Sequence, residues 1–240
     1  GTGPVFVLEA DESDGSFVVY RPEVAVVTNV QADHLDHYGS FEGVARGFGE
    51  FAATIRDGGV LVSCADDAGS AALAAATAAR GTRVVTYGES DAADVRLLDV
   101  TSGPAGTAFE LVHRGRRAGR VQLRVPGRHN ALNATAAIAA AVEVGVTLPD
   151  AVAGVEAFTG TRRRFEARGQ ADGVRVFDDY AHNPSKVTAA VATGRQVAGA
   201  GRLVVVFQPH LFSRTRDFAK QFGEALAGAD EVVVMDVYAA

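Results

Sequence analysis

The sequence predicts an α/β protein of two units: a parallel sheet that carries a small antiparallel meander, then a partial Rossmann-like unit. Three observations predict it. Short β-branched runs alternate with Ala-rich stretches of helical length, the pattern of strands joined by crossover helices. Residues 95–125 break that rhythm with three short strand-like segments separated by tight turns. The alternation then resumes beyond Gly160.

The elements follow in order. Val5–Leu8, Val24–Val30, Val60–Ser63 and Val84–Tyr87 are continuous apolar runs and read as strands buried on both faces. Phe41–Ile55 and Asp67–Ala79 read as the crossover helices. Val95–Val100, Ala108–His113 and Arg120–Val125 form the expected meander, with Gly/Pro and Gly/Arg turns between them. Asn130–Val144 is an Ala-rich helix. The Gly160-Thr161-Arg162 turn sets the expected boundary, giving domains 1–160 and 161–240. In the second domain, strands Val174–Phe177, Leu203–Phe207 and Glu231–Met235 alternate with helices Pro184–Val197 and Arg216–Ala227.

Composition narrows the function. The chain has 240 residues, 48% of them hydrophobic, with a net charge of −6. The acidic balance and the lack of a long basic run argue against non-specific nucleic-acid binding, while a small anionic substrate stays open. Cys64 is the single cysteine, so no intramolecular disulfide forms, and a reducing cytoplasm is the expected setting. No apolar stretch approaches the roughly 20 residues of a spanning helix, so no membrane insertion is expected.

In open α/β sheets ligands bind beyond the carboxyl ends of strands. The polar clusters of this sequence lie there. The first run leads into Glu9-Ala10-Asp11-Glu12-Ser13-Asp14, and the second into Thr28-Asn29 and Asp33-His34-Leu35-Asp36-His37. Carboxylates with one imidazole could hold Mg²⁺, and the imidazole tilts the balance slightly toward Mn²⁺. A solvated acidic loop explains the same residues. A zinc hydrolase fits poorly, because no second histidine pair has a suitable spacing. Asn130 and Asn133 lie three apart at a helix start and so share one face. Side-chain amides match the donor–acceptor edge of adenine, but Asn is also a favoured N-cap. Arg162-Arg163-Arg164 is either a clamp for phosphate or carboxylate or an exposed basic turn. His182 and His210 each follow a strand of what reads as one sheet, which favours a shared cleft.

Together these segments resemble the Mur ligase family, in the family's order and across nearly the whole chain. Glu9–Asp14, Thr28-Asn29 and Ala32–Asp36 are similar to its metal-site region, and Gly127–Ala134 to its adenine-binding helix. Arg164-Phe165-Glu166 resembles the motif that opens its third domain, and Asp178–Pro184 its ribose-side aspartate and following turn. Phe207–Arg216, with the Glu9–Asp14 run, resembles the branch that adds L-alanine.

The resemblance implies an ATP-dependent ligase of peptidoglycan precursor synthesis, with UDP-N-acetylmuramate and L-alanine as substrates. ATP would phosphorylate the lactyl carboxylate, and the amine would then displace phosphate from the acyl phosphate. By resemblance Glu9 and His34 hold Mg²⁺, and Arg164 sits near the transferring phosphate. His129, Asn130 and Asn133 surround adenine, and Asp179 engages the ribose or orients Arg164. His182, His210 and Arg214 line the amino-acid side. Some departures bear on this. Asp36–Arg56 contains no lysine of the kind that relatives carbamylate to bridge two metals, which suits the L-alanine branch. Asn183 and Leu211 stand where relatives often carry histidine and sometimes arginine.

No Gly-x-x-x-x-Gly-Lys-[Ser/Thr] phosphate loop occurs in the chain. The expectation is therefore an internal segment of a longer ligase, inactive by itself. Two enzyme alternatives are a ligase that attaches recycled murein tripeptide to the same sugar and, less well supported, a folylpolyglutamate-synthase-like ligase. A non-catalytic nucleotide-binding module is the alternative from another class.

Overall fold

The computed structural model describes residues 3–239. After a short 3₁₀ turn at Ser16–Val19, strand β1 (Val24–Val27) opens a six-stranded sheet whose order in space is its order in sequence. Helix α1 (Leu35–Tyr38) and helix α2 (Phe41–Ala53) lead to β2 (Val60–Cys64), and helix α3 (Ala68–Ala79) leads to β3 (Arg83–Gly88). These three strands are parallel, with Val24 opposite Val60 and Val60 opposite Arg83. Every residue of β2 is buried, as a continuous apolar strand in a covered parallel sheet must be.

Local chemistry sets the helix starts. Ser40 caps α2 by accepting the Gly43 N–H at 3.3 Å. Asp67 caps α3, its Oδ1 accepting from Ser70 N at 2.8 Å and from Val30 N at 3.0 Å. The cap thus ties α3 to the loop that follows β1. The close approach needs Gly69, because a Cβ there would lie 2.2 Å from the Val30 carbonyl oxygen. Beneath α2, Phe17 stacks on Phe51 at 5.0 Å and meets Phe48 edge-on, within a core that includes Ala25, Val27 and Leu61.

β4 (Val95–Gly103), β5 (Gly106–His113) and β6 (Arg116–Leu123) complete the sheet. Two-residue turns join them, and such turns can connect only antiparallel neighbours. Helices α4 (Arg128–Glu143) and α5 (Leu148–Ala157) follow. Then come β7 (Glu166–Ala171), β8 (Val174–Asp178), α6 (Pro184–Ala198), β9 (Val204–Phe207), α7 (Phe212–Asp217), α8 (Ala219–Leu226) and β10 (Glu231–Val234). β9 and β10 pair in parallel, and Val187, Val191, Phe207, Phe222, Ala225 and Leu226 form the core there.

Two compact units result. One contains the described residues up to Asp99, with Phe109–Val121 and Leu132–Val155. The other contains Val100–Ala108, Gln122–Ala131 and the described residues from Glu156 onward.

The structure corrects several expected elements. Val5–Leu8 is not a strand, and Phe6 and Val7 are each 87% exposed. A strand persists only against a partner, and among the described residues none pairs with this run. Val174–Phe177 is not the first strand of a parallel sheet. It belongs to an antiparallel hairpin with β7, closed by Asp172 (φ 50) and Gly173 (φ 79). Consecutive left-handed residues make the tight turn whose twist suits a hairpin. Residues 216–227 are two helices broken at Phe218, which packs on the Phe222 cluster. β6 starts four residues earlier than expected, at Arg116, and α5 was not anticipated.

Candidate functional site

In the first unit His34 lies where the sequence put it, on the loop beyond β1. It precedes α1 in a left-handed conformation (φ 51). The carboxylates against it are Glu12, at 3.6 Å from Nε2, and Asp33, at 3.9 Å. Tyr38 anchors the acidic loop by donating its hydroxyl to the Glu12 carbonyl at 2.6 Å. Asp11 and Asp14 are committed to local turns. The N–H of Ser13 holds the Asp11 carboxyl below its ordinary range, and Ser16 does the same for Asp14. Glu9 is exposed, and no hydrogen bond or ion pair joins it to His34 among the described residues. Sequence reasoning therefore missed Glu12 as the partner of His34. The signal was present, since Glu12 lies in the same acidic run.

Among the described residues no group of three or more His, Cys, Asp or Glu side chains gathers as a ligand set. An imidazole and a carboxylate fit part of an octahedral shell, and Mg²⁺ ordinarily completes its shell with water and phosphate oxygens.

The second unit brings together three of the residues singled out in the sequence. His129, half-buried at the start of α4, lies within electrostatic reach of Asp179 and Arg164. Burial is the main cause that lowers its pKa; Asp179 opposes the shift and Arg164 adds to it. The turn beneath His129 is clasped by hydroxyls. Ser102 Oγ accepts the Gly127 N–H at 2.7 Å, and the fully buried Thr107 donates to Ser102 Oγ at 3.0 Å. Asn130 donates its side-chain N–H to the Pro126 carbonyl at 2.7 Å, so it braces this turn. Asn133, one turn further along α4, is exposed.

The arginine loop is built from alternating backbone conformations. Arg163 (φ 58) and Phe165 (φ 48) are left-handed, a state that costs a non-glycine residue about 1–2 kcal/mol. Four hydrogen bonds hold it. Arg163 N donates to Glu166 Oε2 (2.9 Å), Arg164 N to the Thr161 carbonyl (3.2 Å), Phe165 N to Asp179 Oδ2 (2.8 Å) and Tyr180 N to the Arg163 carbonyl (2.8 Å). Strain held this firmly is characteristic of binding loops. The loop sets Arg163 over the Tyr180 ring, 4.5 Å from its centroid, with Arg164 at 5.9 Å. Tyr180, not singled out in the sequence, also packs its ring 5.0 Å from that of His182.

His182 and His210 follow β8 and β9, which belong to different sheets, not to one as the sequence suggested. His210 stacks on Tyr238 at 5.8 Å with 20° between the ring planes. The backbones interlock there: Leu211 N donates to the Tyr238 carbonyl at 3.0 Å, and Tyr238 N to the Pro209 carbonyl at 2.8 Å. Arg214, on α7, approaches His210 Nδ1 at 3.5 Å.

A largely parallel sheet with polar loops beyond its strand ends is the setting in which open α/β proteins bind their ligands. The chain belongs to the Mur ligase family. Residues 3–141 match the Mur ligase middle domain, and residues 163–239 match the Mur ligase glutamate ligase domain.

Two curated relatives carry the same name. The UDP-N-acetylmuramate–L-alanine ligase of Kineococcus radiotolerans is 59% identical over 100% of this chain and 50% of its own length. That of Paenarthrobacter aurescens is 55% identical over 100% of this chain and 52% of its own. The crystal structure of UDP-N-acetylmuramate-alanine ligase from Thermotoga maritima superposes with a TM-score of 0.77 at 31% identity, covering 95% of this chain and 49% of that one. The chain thus spans about half the length of the curated relatives it matches.

Proposed function

We propose that these residues form part of an ATP-dependent ligase that joins L-alanine to UDP-N-acetylmuramate in peptidoglycan precursor synthesis. The observation that carries this reading is the 59% identity, over the whole chain, to a protein named for that reaction. Part of the geometry supports it. His129, at the start of α4, lies within electrostatic reach of Arg164 and Asp179, which suits a nucleotide site. Arg164 is offered as the cation for the transferring phosphate, on a loop that its neighbours hold rigidly. Such positioning and charge neutralisation are the main demands of phosphoryl transfer.

His34, with Glu9 or Glu12, is offered as the protein's share of a Mg²⁺ site, Mn²⁺ being an alternative ion. Bound Mg²⁺ would neutralise charge on the phosphates. Asn130 and Asn133 are assigned to the adenine face of α4. His182, His210 and Arg214 are assigned to the amine side, where the Arg214 fork suits the carboxylate of L-alanine. The functional division is placed at 160/161, and the setting is cytoplasmic. No helix among the described residues is long and apolar enough to cross a membrane.

The test is product formation by the full-length protein that contains these residues. It is supplied with ATP, Mg²⁺ and UDP-N-acetylmuramate, and with either L-alanine or L-alanyl-γ-D-glutamyl-meso-diaminopimelate. Ligation of L-alanine is the expected result. Preference for the tripeptide would replace this reading with the recycling ligase.

A further inference from the structure

His182 sits at the mouth of α6, and its two ring nitrogens have neighbours of fixed character. Nδ1 lies 2.9 Å from the Tyr180 carbonyl oxygen, and Nε2 lies 3.4 Å from the Lys186 ammonium. A carbonyl oxygen only accepts and an ammonium only donates. With these neighbours, a neutral His182 ring would carry its proton on Nδ1 and turn its Nε2 lone pair toward Lys186. The sequence builds the pair locally. Asn183 caps α6 by accepting the Lys186 N–H at 2.9 Å, and Pro184 follows at the first helical turn. The helix then lifts Lys186 one turn above the residue that precedes the cap. His210 is constrained the other way. Arg214 Nη1, an obligate donor, faces its Nδ1 at 3.5 Å, so the proton of a neutral ring there lies on Nε2.

We propose that Lys186 is a positioning residue of the amine-side rim: it holds His182 as the neutral Nδ1–H tautomer and supplies the cation that His182 does not carry. This deepens the ligase reading by making the ammonium of Lys186 the charge that an anionic group would meet beside Tyr180 and His182. His182 then serves to aim that ammonium. In this proposal His182 and His210 carry opposite tautomers, the Tyr180 carbonyl and Lys186 acting together on the first and Arg214 on the second.

The experiment is ¹⁵N NMR of the 240-residue chain labelled at its six histidines, recorded above the histidine titration range. Signals are assigned with His182→Gln and His210→Gln. In the wild type, His182 is expected as the Nδ1–H tautomer and His210 as Nε2–H. Lys186→Met should move His182 toward the Nε2–H form that free imidazole side chains prefer, while His210 and the other histidines stay in place. Lys186→Arg, which keeps a donor, should restore the wild-type tautomer. A wild-type His182 protonated at Nε2 overturns the proposal, and so does an unchanged tautomer in Lys186→Met. Adding ATP, UDP-N-acetylmuramate and L-alanine to the full-length protein separates this from the ligase reading. A correct tautomer whose His182 signals ignore L-alanine there would leave the Lys186 contact standing and remove His182 from the amine side.

Discussion

Asp179 grips the backbone beside Arg164. Its Oδ2 accepts the Phe165 N–H at 2.8 Å, and its Oδ1 accepts the Ala181 N–H at 2.7 Å. One carboxylate thus joins the arginine loop to the turn that carries Tyr180 and His182. Of the two roles that the family resemblance offered Asp179, this geometry favours orienting Arg164. A hydrogen bond to a charged acceptor contributes about 1.5–3 kcal/mol. Asp179→Ala should therefore lower stability by roughly that amount and weaken ATP binding by the full-length protein. Asp179→Asn retains one acceptor oxygen and should lose less of both. Denaturant melts and ATP titrations of the two variants check the ordering; equal losses would argue against it.

Gly127 has no room for a side chain. Its φ is 106, and a Cβ would lie 2.6 Å from Thr193 Oγ1 and 2.7 Å from His129 Cε1. Gly127→Ala should destabilise by about 1–3 kcal/mol through backbone strain alone, and it should displace His129. Ser102→Ala loses the clasp on the Gly127 N–H but leaves space unchanged, so it should cost less. A melt of Gly127→Ala that matches the wild type would show that the turn is looser than its contacts imply.

His129 makes stability depend on pH. Its folded pKa is lowered, first by burial and then by Arg164, from an ordinary value of 6.5. Below that value the unfolded chain binds a proton that the folded chain refuses. The contribution is therefore fully present above the unfolded pKa and falls away as pH drops through and below about 6.5. His113 shifts in the same direction, with burial again the largest cause. Melting temperatures between pH 7.5 and 5.5 should decline in the wild type and decline less in His129→Gln. Identical pH slopes in the two proteins would remove His129 as a source.

The fold was legible wherever local pattern and partner agreed. β2 and α3 could be read because a buried β-branched run and a capped Ala-rich stretch each suit only one element. Val5–Leu8 misled because an apolar run carries no record of whether a neighbouring strand is present. The β7–β8 hairpin was announced by Asp172-Gly173, a turn signal that outranks the apolar run after it. The site was legible by type but not by partner. An acidic run cannot say which of its carboxylates turns toward His34, and the structure answers with Glu12. The contacts of Tyr180 with Arg163 and of Tyr238 with His210 join segments well apart in the chain, which local spacing cannot encode.

The outer face of the β9–β10 pair should behave as a hydrophobic patch. Val206 is 63% exposed and its cross-strand neighbour Val233 46%, with Val204 on the same face. Patches of this kind promote association and dye binding. Changing Val206 and Val233 to Thr keeps β-branched shape and strand preference while removing apolar surface. The double variant should bind less of an anilinonaphthalene dye and stay soluble at higher concentration, with stability within about 0.5 kcal/mol of the wild type. Unchanged dye binding would mean that the patch lies elsewhere.

The 240 residues alone should not catalyse ligation. They contain no Gly-x-x-x-x-Gly-Lys-[Ser/Thr] loop, and the chain's lysines are only Lys186 and Lys220. In phosphate-loop enzymes the amides and lysine of that loop hold the β- and γ-phosphates, and its Ser or Thr reaches Mg²⁺. Loss of one preorganised donor at a developing charge lowers rate by about 10²–10³, and these 240 residues contain no such motif. His34 and Glu12 would also have fewer partners for the ion, so metal affinity should be low. What remains, His129, Asn130, Arg164 and Asp179, should still favour an adenine nucleotide over free phosphate. Phosphate release and product formation from ATP, Mg²⁺, UDP-N-acetylmuramate and L-alanine should stay at background, while ADP should perturb the histidine signal of His129 more than phosphate does. Turnover close to that of an intact relative would overturn the argument, because it would require a phosphate cradle that these residues do not contain.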